Sequence, residues 1–161
     1  MMMVKAGLIP LLISYVIALV FTVMPMPALL EPWRPDWVSL VLIYWLMAIP
    51  HRVGVGTVLI VGLLTDILLG STFGVYASAL LLISYPVLRH YQRIRHYALV
   101  QQALVVAILI FFKRVIVYEI EHVLNDAVFS VPYLYPVVSS ALIWPWVFLA
   151  LRRYRRHNHI H

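Results

Sequence analysis

From Gly7 to Leu151 the chain is a succession of apolar runs, and no polar stretch between them is long enough to fold as a unit of its own. That continuity constrains the solvent before it constrains the fold. Of the 161 residues 64% are hydrophobic and only 11% are charged, a balance that soluble domains do not show. The expectation is an all-α membrane protein, with residues 1–161 forming a single integral membrane domain. Cysteine is absent, so disulfides and thiolate metal sites are excluded. Lys5 ahead of an apolar run imitates a secretion signal, but the run continues to Leu30 without a small-x-small cleavage site, so a retained span is expected.

Charge, glycine and proline divide the chain into six apolar segments, at about 7–30, 37–50, 53–70, 73–88, 97–118 and 132–151. The second and fourth would cover roughly 21 and 24 Å as helices, against a hydrocarbon layer of about 30 Å. Short helices of this kind suit a bundle interior or thinned lipid. With six spans and the amino terminus inside, Lys5, Arg52, Arg89, Arg93, Arg95, Arg152, Arg153, Arg155 and Arg156 are cytoplasmic and Arg34 is outside, nine against one. Five spans with an external amino terminus, the segment 37–50 not crossing, score equally. Charge alone does not separate the two. Trp37, Tyr44 and Trp45, read as interfacial anchors, favour six.

Asp66 lies about 21 Å along the third segment from Arg52, and a carboxylate at the centre of a span costs at least about 2.5 kcal/mol unless it is compensated. Gly62, Asp66, Gly70 and Gly74 recur every four residues, so a helix running that far would carry them as one stripe of close packing. Lys113 and Arg114 sit at a similar depth in the fifth segment, and an ion pair from Asp66 to one of them is the expected compensation. A proton relay would need several titratable groups across the bilayer, and only one acid lies deep in a segment.

Two short loops invite a functional reading. The segment from Glu31 to Trp37 sets two aromatic residues around two prolines, which hold Arg34 and Asp36 at headgroup level. Arg34, Trp37 and Arg52 are therefore candidate docking points for another protein. Gly54 and Gly56 lack the third glycine and the preceding strand of a phosphate-binding loop. Catalytic arrangements are missing: no Gly-x-Ser-x-Gly elbow, no His-Glu-x-x-His helix and no paired carboxylate beside Asp66 occur. No enzyme, cofactor or metal site is expected. His157, His159 and His161 alternate in a polar tail that lacks fixed geometry. The run Arg152-Arg153-Tyr154-Arg155-Arg156 reads as an anchor to anionic lipid rather than to nucleic acid.

The order of short motifs is itself informative. Trp33-Arg34-Pro35-Asp36-Trp37 is followed by Tyr44-Trp45-x-x-Ala48-x-Pro50-His51-Arg52-Val53-Gly54-Val55-Gly56-Thr57. Then come Gly62-x-x-x-Asp66-x-x-x-Gly70-Ser71-Thr72-x-Gly74, Gln101-Gln102-Ala103 and Ile143-Trp144-Pro145-Trp146-Val147-Phe148-Leu149. In that order and spacing they resemble MreD, the rod shape-determining membrane proteins of bacteria, in the proteobacterial form. The resemblance covers nearly the whole chain, although 113–135 carries no motif.

It implies a non-enzymatic scaffold of the cell-elongation machinery, in the inner membrane with both termini cytoplasmic. Such a subunit would bind MreC and, through it, couple MreB to RodA and its penicillin-binding transpeptidase partner. The family is also similar in fold to the substrate-binding subunits of energy-coupling-factor transporters, six short helices in a bundle. That supplies the alternative function, capture of a small ligand or lipid for transport. Against transport, the first segment lacks the Ala-x-x-x-Ala pattern associated with docking to an energising subunit.

Overall fold

A computed structural model describes the backbone of residues 2–160 and the side chains of residues 7–160. The Lys5 side chain and His161 lie outside the described residues. Six α-helices follow one another: α1 (Met2–Val23), α2 (Trp37–Ala48), α3 (Val55–Leu69), α4 (Val75–His96), α5 (Leu99–Asn125) and α6 (Tyr135–His157). Single 3-10 turns at Glu31–Trp33 and Val131–Leu134 lead into α2 and α6. The chain is all-α with six helices. One helical stretch among the described residues, Val131–His157, is by itself long and apolar enough to cross a membrane. Gly7–Val23 and Val55–Leu69 are shorter apolar helices.

The helix boundaries depart from the apolar segments in a consistent way. α1 stops at Val23 instead of continuing to Leu30, because Pro25 and Pro27 remove backbone donors and exclude the helical conformation from the residues before them. The Arg34 guanidinium then satisfies the free end, donating to the carbonyls of Thr22 and Met24, both at 2.6 Å. α4 and α5, in contrast, run past their apolar segments to His96 and Asn125. Hydropathy marks where lipid-like surface ends, but a helix continues through charged residues until its backbone is interrupted.

α2 is the centre of the bundle, packed against α1, α4 and α6. Ten of its twelve residues, Val38 to Met47, are buried. Tyr44 and Trp45 are 2% and 0% exposed, so they are core residues and not interfacial anchors. The indole of Trp45 donates to the Ser14 hydroxyl of α1 at 2.8 Å, which compensates the one polar atom that its burial would strand. Trp144 of α6 is buried in the same way and donates to Gln102 of α5 at 3.3 Å. Gln102 in turn donates to the carbonyl of Ile94 at 3.1 Å, tying α5 back to the end of α4.

α3 and α4 make the most extensive helix–helix contact. At Gly62 a Cβ would collide with the backbone of Ala77, so only glycine permits this approach. The longer stripe does not form. α3 ends at Leu69, and Gly70 and Gly74 carry positive φ (65° and 98°) in the turn that follows. Gly62 and Asp66 remain on the α4-facing side of α3; Gly70 and Gly74 reverse the chain.

The brevity of α2 shapes both ends of the molecule. Twelve residues span about 18 Å, whereas the 27 residues of α5 span about 40 Å. Beyond each end of α2 the longer helices enclose a recess. All six acidic residues, Glu31, Asp36, Asp66, Glu119, Glu121 and Asp126, lie where α2 begins or in the adjoining halves of the other helices. The arginines of the other end come from the 49–54 turn, the last turns of α4 and the last turns of α6.

Candidate functional site

The recess above the start of α2 is a cavity of about 210 Å³, lined among others by Glu31, Arg34, Asp36, Tyr76, Lys113 and Arg114. Its floor is an ion pair. Lys113 Nζ lies 2.5 Å from Asp36 Oδ2 and 3.0 Å from Ser39 Oγ. The two charged side chains are 4% and 10% exposed, so each depends on the other for compensation. Asp36 is also the N-cap of α2, accepting from the Ser39 N–H, and its own N–H donates to Ser140 of α6 at 2.9 Å. One aspartate thus joins α2, α5 and α6.

The walls are held by cations and aromatic rings. Lys113 lies 5.1 Å from the centre of the Tyr76 ring, and Arg114 lies 4.7 Å from that of Tyr133. Arg114 donates to the Tyr133 carbonyl at 2.8 Å, and the Tyr133 hydroxyl donates to the Arg114 carbonyl at 3.0 Å. The buried Arg114 Nε has no hydrogen-bond partner. At the rim Arg34 pairs with Glu31 at 3.2 Å. Opposite charges therefore meet in pairs around a small polar space, an arrangement able to orient a polar group. Among the described residues there is no group of three or more His, Cys, Asp or Glu placed to hold a metal ion.

Asp66 is compensated differently from the expected ion pair. Its carboxylate accepts from the backbone N–H groups of Gly74 (2.8 Å), Tyr76 (2.8 Å) and Ala77 (3.4 Å), and from the Ser71 hydroxyl (2.9 Å). Those amides are the free donors at the start of α4, whose cap position is Gly74 and so has no side chain to offer. Asp66 supplies the cap from the neighbouring helix, and the helix dipole stabilises its charge. Lys113 is committed to Asp36 and Arg114 to Tyr133. The aspartate that pairs with Lys113 was visible in the sequence, in an Asp36-x-x-Ser39 capping pattern. Its place in a proline-rich loop suggested headgroup exposure instead.

The docking candidates are not brought together. Arg34 and Trp37 flank the start of α2, and Arg52 follows its end. Arg34 is 18% exposed and occupied with the end of α1. Trp37 is half-buried against Phe21, ring centres 5.3 Å apart. Arg52 is half-buried, and a Cβ at Gly7 of α1 would collide with its guanidinium.

A family model described as rod shape-determining protein MreD matches residues 3–154. The rod shape-determining protein MreD of Haemophilus influenzae is 37% identical over 147 residues, covering 91% of each chain. The chain belongs to the MreD family. No solved structure matches it. Membership brings the chain into the rod-shape-determining system. The matched range includes the Asp36–Lys113 pair, the Asp66 cap and 113–135, where no motif was legible. Within this MreD-family chain the charged pairs inside the bundle thus serve helix ends and helix contacts.

Proposed function

We propose that the chain is a non-enzymatic scaffold subunit of the bacterial cell-elongation complex, embedded in the inner membrane as one six-span domain with both termini cytoplasmic. It binds MreC directly and through it links MreB to RodA and its penicillin-binding transpeptidase. The observation that carries this reading is the outer surface of α1. Leu8, Ile9, Leu12, Ile13, Val16, Ile17, Val20 and Phe21 are each between 41% and 59% exposed. An apolar face of that extent belongs against lipid or another helix, not water. Between α1 and α3 it deepens into an apolar furrow of about 570 Å³ lined by Val16, Leu19, Val20, Val23, Met24 and Leu68, which suits a partner's membrane helix.

The segregation of all acidic side chains from the arginine-rich end supports six spans over five, with the short α2 traversing the bundle interior and the arginines cytoplasmic. Trp37 and Arg52 remain candidate contacts for MreC. Arg34 belongs with them, although its bonds to α1 give it a structural task as well. A second reading, a small-ligand-binding subunit of a transporter resembling those of energy-coupling-factor systems, is favoured by one feature, the polar cavity over Asp36 and Lys113.

Photo-crosslinking residues placed at Leu12, Val16 and Val20, followed by purification from native membranes, test the scaffold reading. The expected product is a covalent adduct with MreC. Adducts with lipid alone, together with a stoichiometric small molecule released on denaturation, would favour the second reading.

A further inference from the structure

The opposite recess, below the end of α2, is a separate cavity of about 230 Å³ lined by Tyr44, Met47, Ala48, Arg95, His96, Phe148, Arg152 and Arg155. It exists because α2 stops at Ala48 while α4 and α6 continue to His96 and His157. Three arginines from two helices converge on it, and every acidic side chain of the protein lies toward the other end. Arg95 makes one long bond, 3.4 Å, to the Met47 carbonyl at the free end of α2. Arg152 and Arg155 have no ion-pair partner among the described residues. Guanidiniums without an ion-pair partner around a concave space suit an anion in charge, and their forked donors suit its oxygens.

The second observation is independent of charge. Tyr44 is 2% exposed, and its hydroxyl is a buried polar atom with no hydrogen-bond partner. Nearly every buried hydroxyl finds one. Tyr44 lines the same cavity as Arg95, Arg152 and Arg155, so an unpartnered donor and the three guanidiniums border one space. The remaining wall, Met47, Ala48 and Phe148, is apolar.

We propose that this cavity binds the phosphate of an anionic phospholipid headgroup, with Arg95, Arg152 and Arg155 around the phosphate oxygens and Tyr44 donating its hydroxyl to one of them. Guanidinium forks match the several equivalent oxygens of a phosphate better than a lone carboxylate, and the apolar wall accommodates glycerol and the first acyl carbons. A free phosphate would use the same donors and leave that wall without a role. The choice of lipid rests on the arginine-rich end facing the cytoplasmic leaflet; the anion site itself does not.

Native mass spectrometry of the full chain in neutral detergent, with added phosphatidylglycerol or phosphatidylcholine, tests the proposal without reference to topology. The expected result is one phosphatidylglycerol retained under activation that strips phosphatidylcholine. Tyr44→Phe should weaken retention about tenfold to a hundredfold, as loss of one hydrogen bond to a charged acceptor does. Arg152→Gln with Arg155→Gln should abolish it, while Arg89→Gln with Arg153→Gln, an equal loss of charge away from the cavity, should leave it intact. Size-exclusion profiles identify any variant that fails to fold, and Tyr44→Phe, which removes one atom, keeps the comparison informative. Equal loss in both arginine pairs, or no effect of Tyr44→Phe, would overturn the site. Displacement of the lipid by millimolar inorganic phosphate would overturn its assignment to lipid.

Discussion

Two buried aspartates show how differently a carboxylate is accommodated in an apolar bundle. Asp36 meets a cation, Lys113, whereas Asp66 meets the free amides at the start of α4. Substitution distinguishes them. Removing one partner of a buried pair costs about 3–5 kcal/mol because the other charge is stranded, so Asp36→Asn should sharply lower abundance. Lys113→Met in the same chain should recover much of the loss. Asp66→Leu should cost about 1–3 kcal/mol from unsatisfied amides, and Lys113→Met should not rescue it. Quantitative immunoblotting of the single and double variants in native membranes measures both couplings. Rescue of Asp66→Leu by a change at Lys113 would reinstate the Asp66 ion pair in place of the α4 cap.

Helix pairing is the scale at which the glycines act. Gly62→Ala places a methyl group against the Ala77 backbone, and overpacking of this kind typically costs about 1–3 kcal/mol. Thermal unfolding in detergent should register it as a lower midpoint, while Gly56→Ala, with open space around the added Cβ, should leave the midpoint close to wild type. Much of this level was legible in the sequence. Apolar runs bounded by charge and proline located all six helices, and the i, i+4 spacing of Gly62 and Asp66 marked the face of α3 that meets α4. The missing parts have physical causes. Charged residues end a lipid-like surface without ending a helix, so α4 and α5 were read short. A glycine spacing that fits one helix also fits a helix followed by a turn. Which aspartate meets Lys113 depends on how far α2 begins from α5 in space, a tertiary quantity that depth along one helix does not contain. Tyr44 and Trp45 look like interfacial anchors in sequence, and the burial of Trp45 depends on Ser14 meeting its indole from another helix.

For the molecule as a whole, the short central helix is the organising feature. It leaves a charged-pair cavity at one end and an arginine-lined cavity at the other, and it hands the lateral surface to α1, α3, α5 and α6. A single cysteine in the cysteine-free chain should be labelled by an impermeant thiol reagent from outside at Trp33 and Asp126 and from inside at His51 and Gln92. Labelling of Trp33 and His51 from the same side would remove the crossing by α2.

A subunit that works by lateral contact has its effect through others, so its loss should appear as a failure of assembly and not of uptake. Depletion of the chain in its native host, scored by cell shape together with the position of new wall synthesis, tests that claim most directly. Swollen or round cells with dispersed lateral synthesis are the expected result, restored by a wild-type copy. Cells that keep their rod shape while uptake of one small nutrient collapses would contradict it and assign the function to the cavity over Asp36 and Lys113.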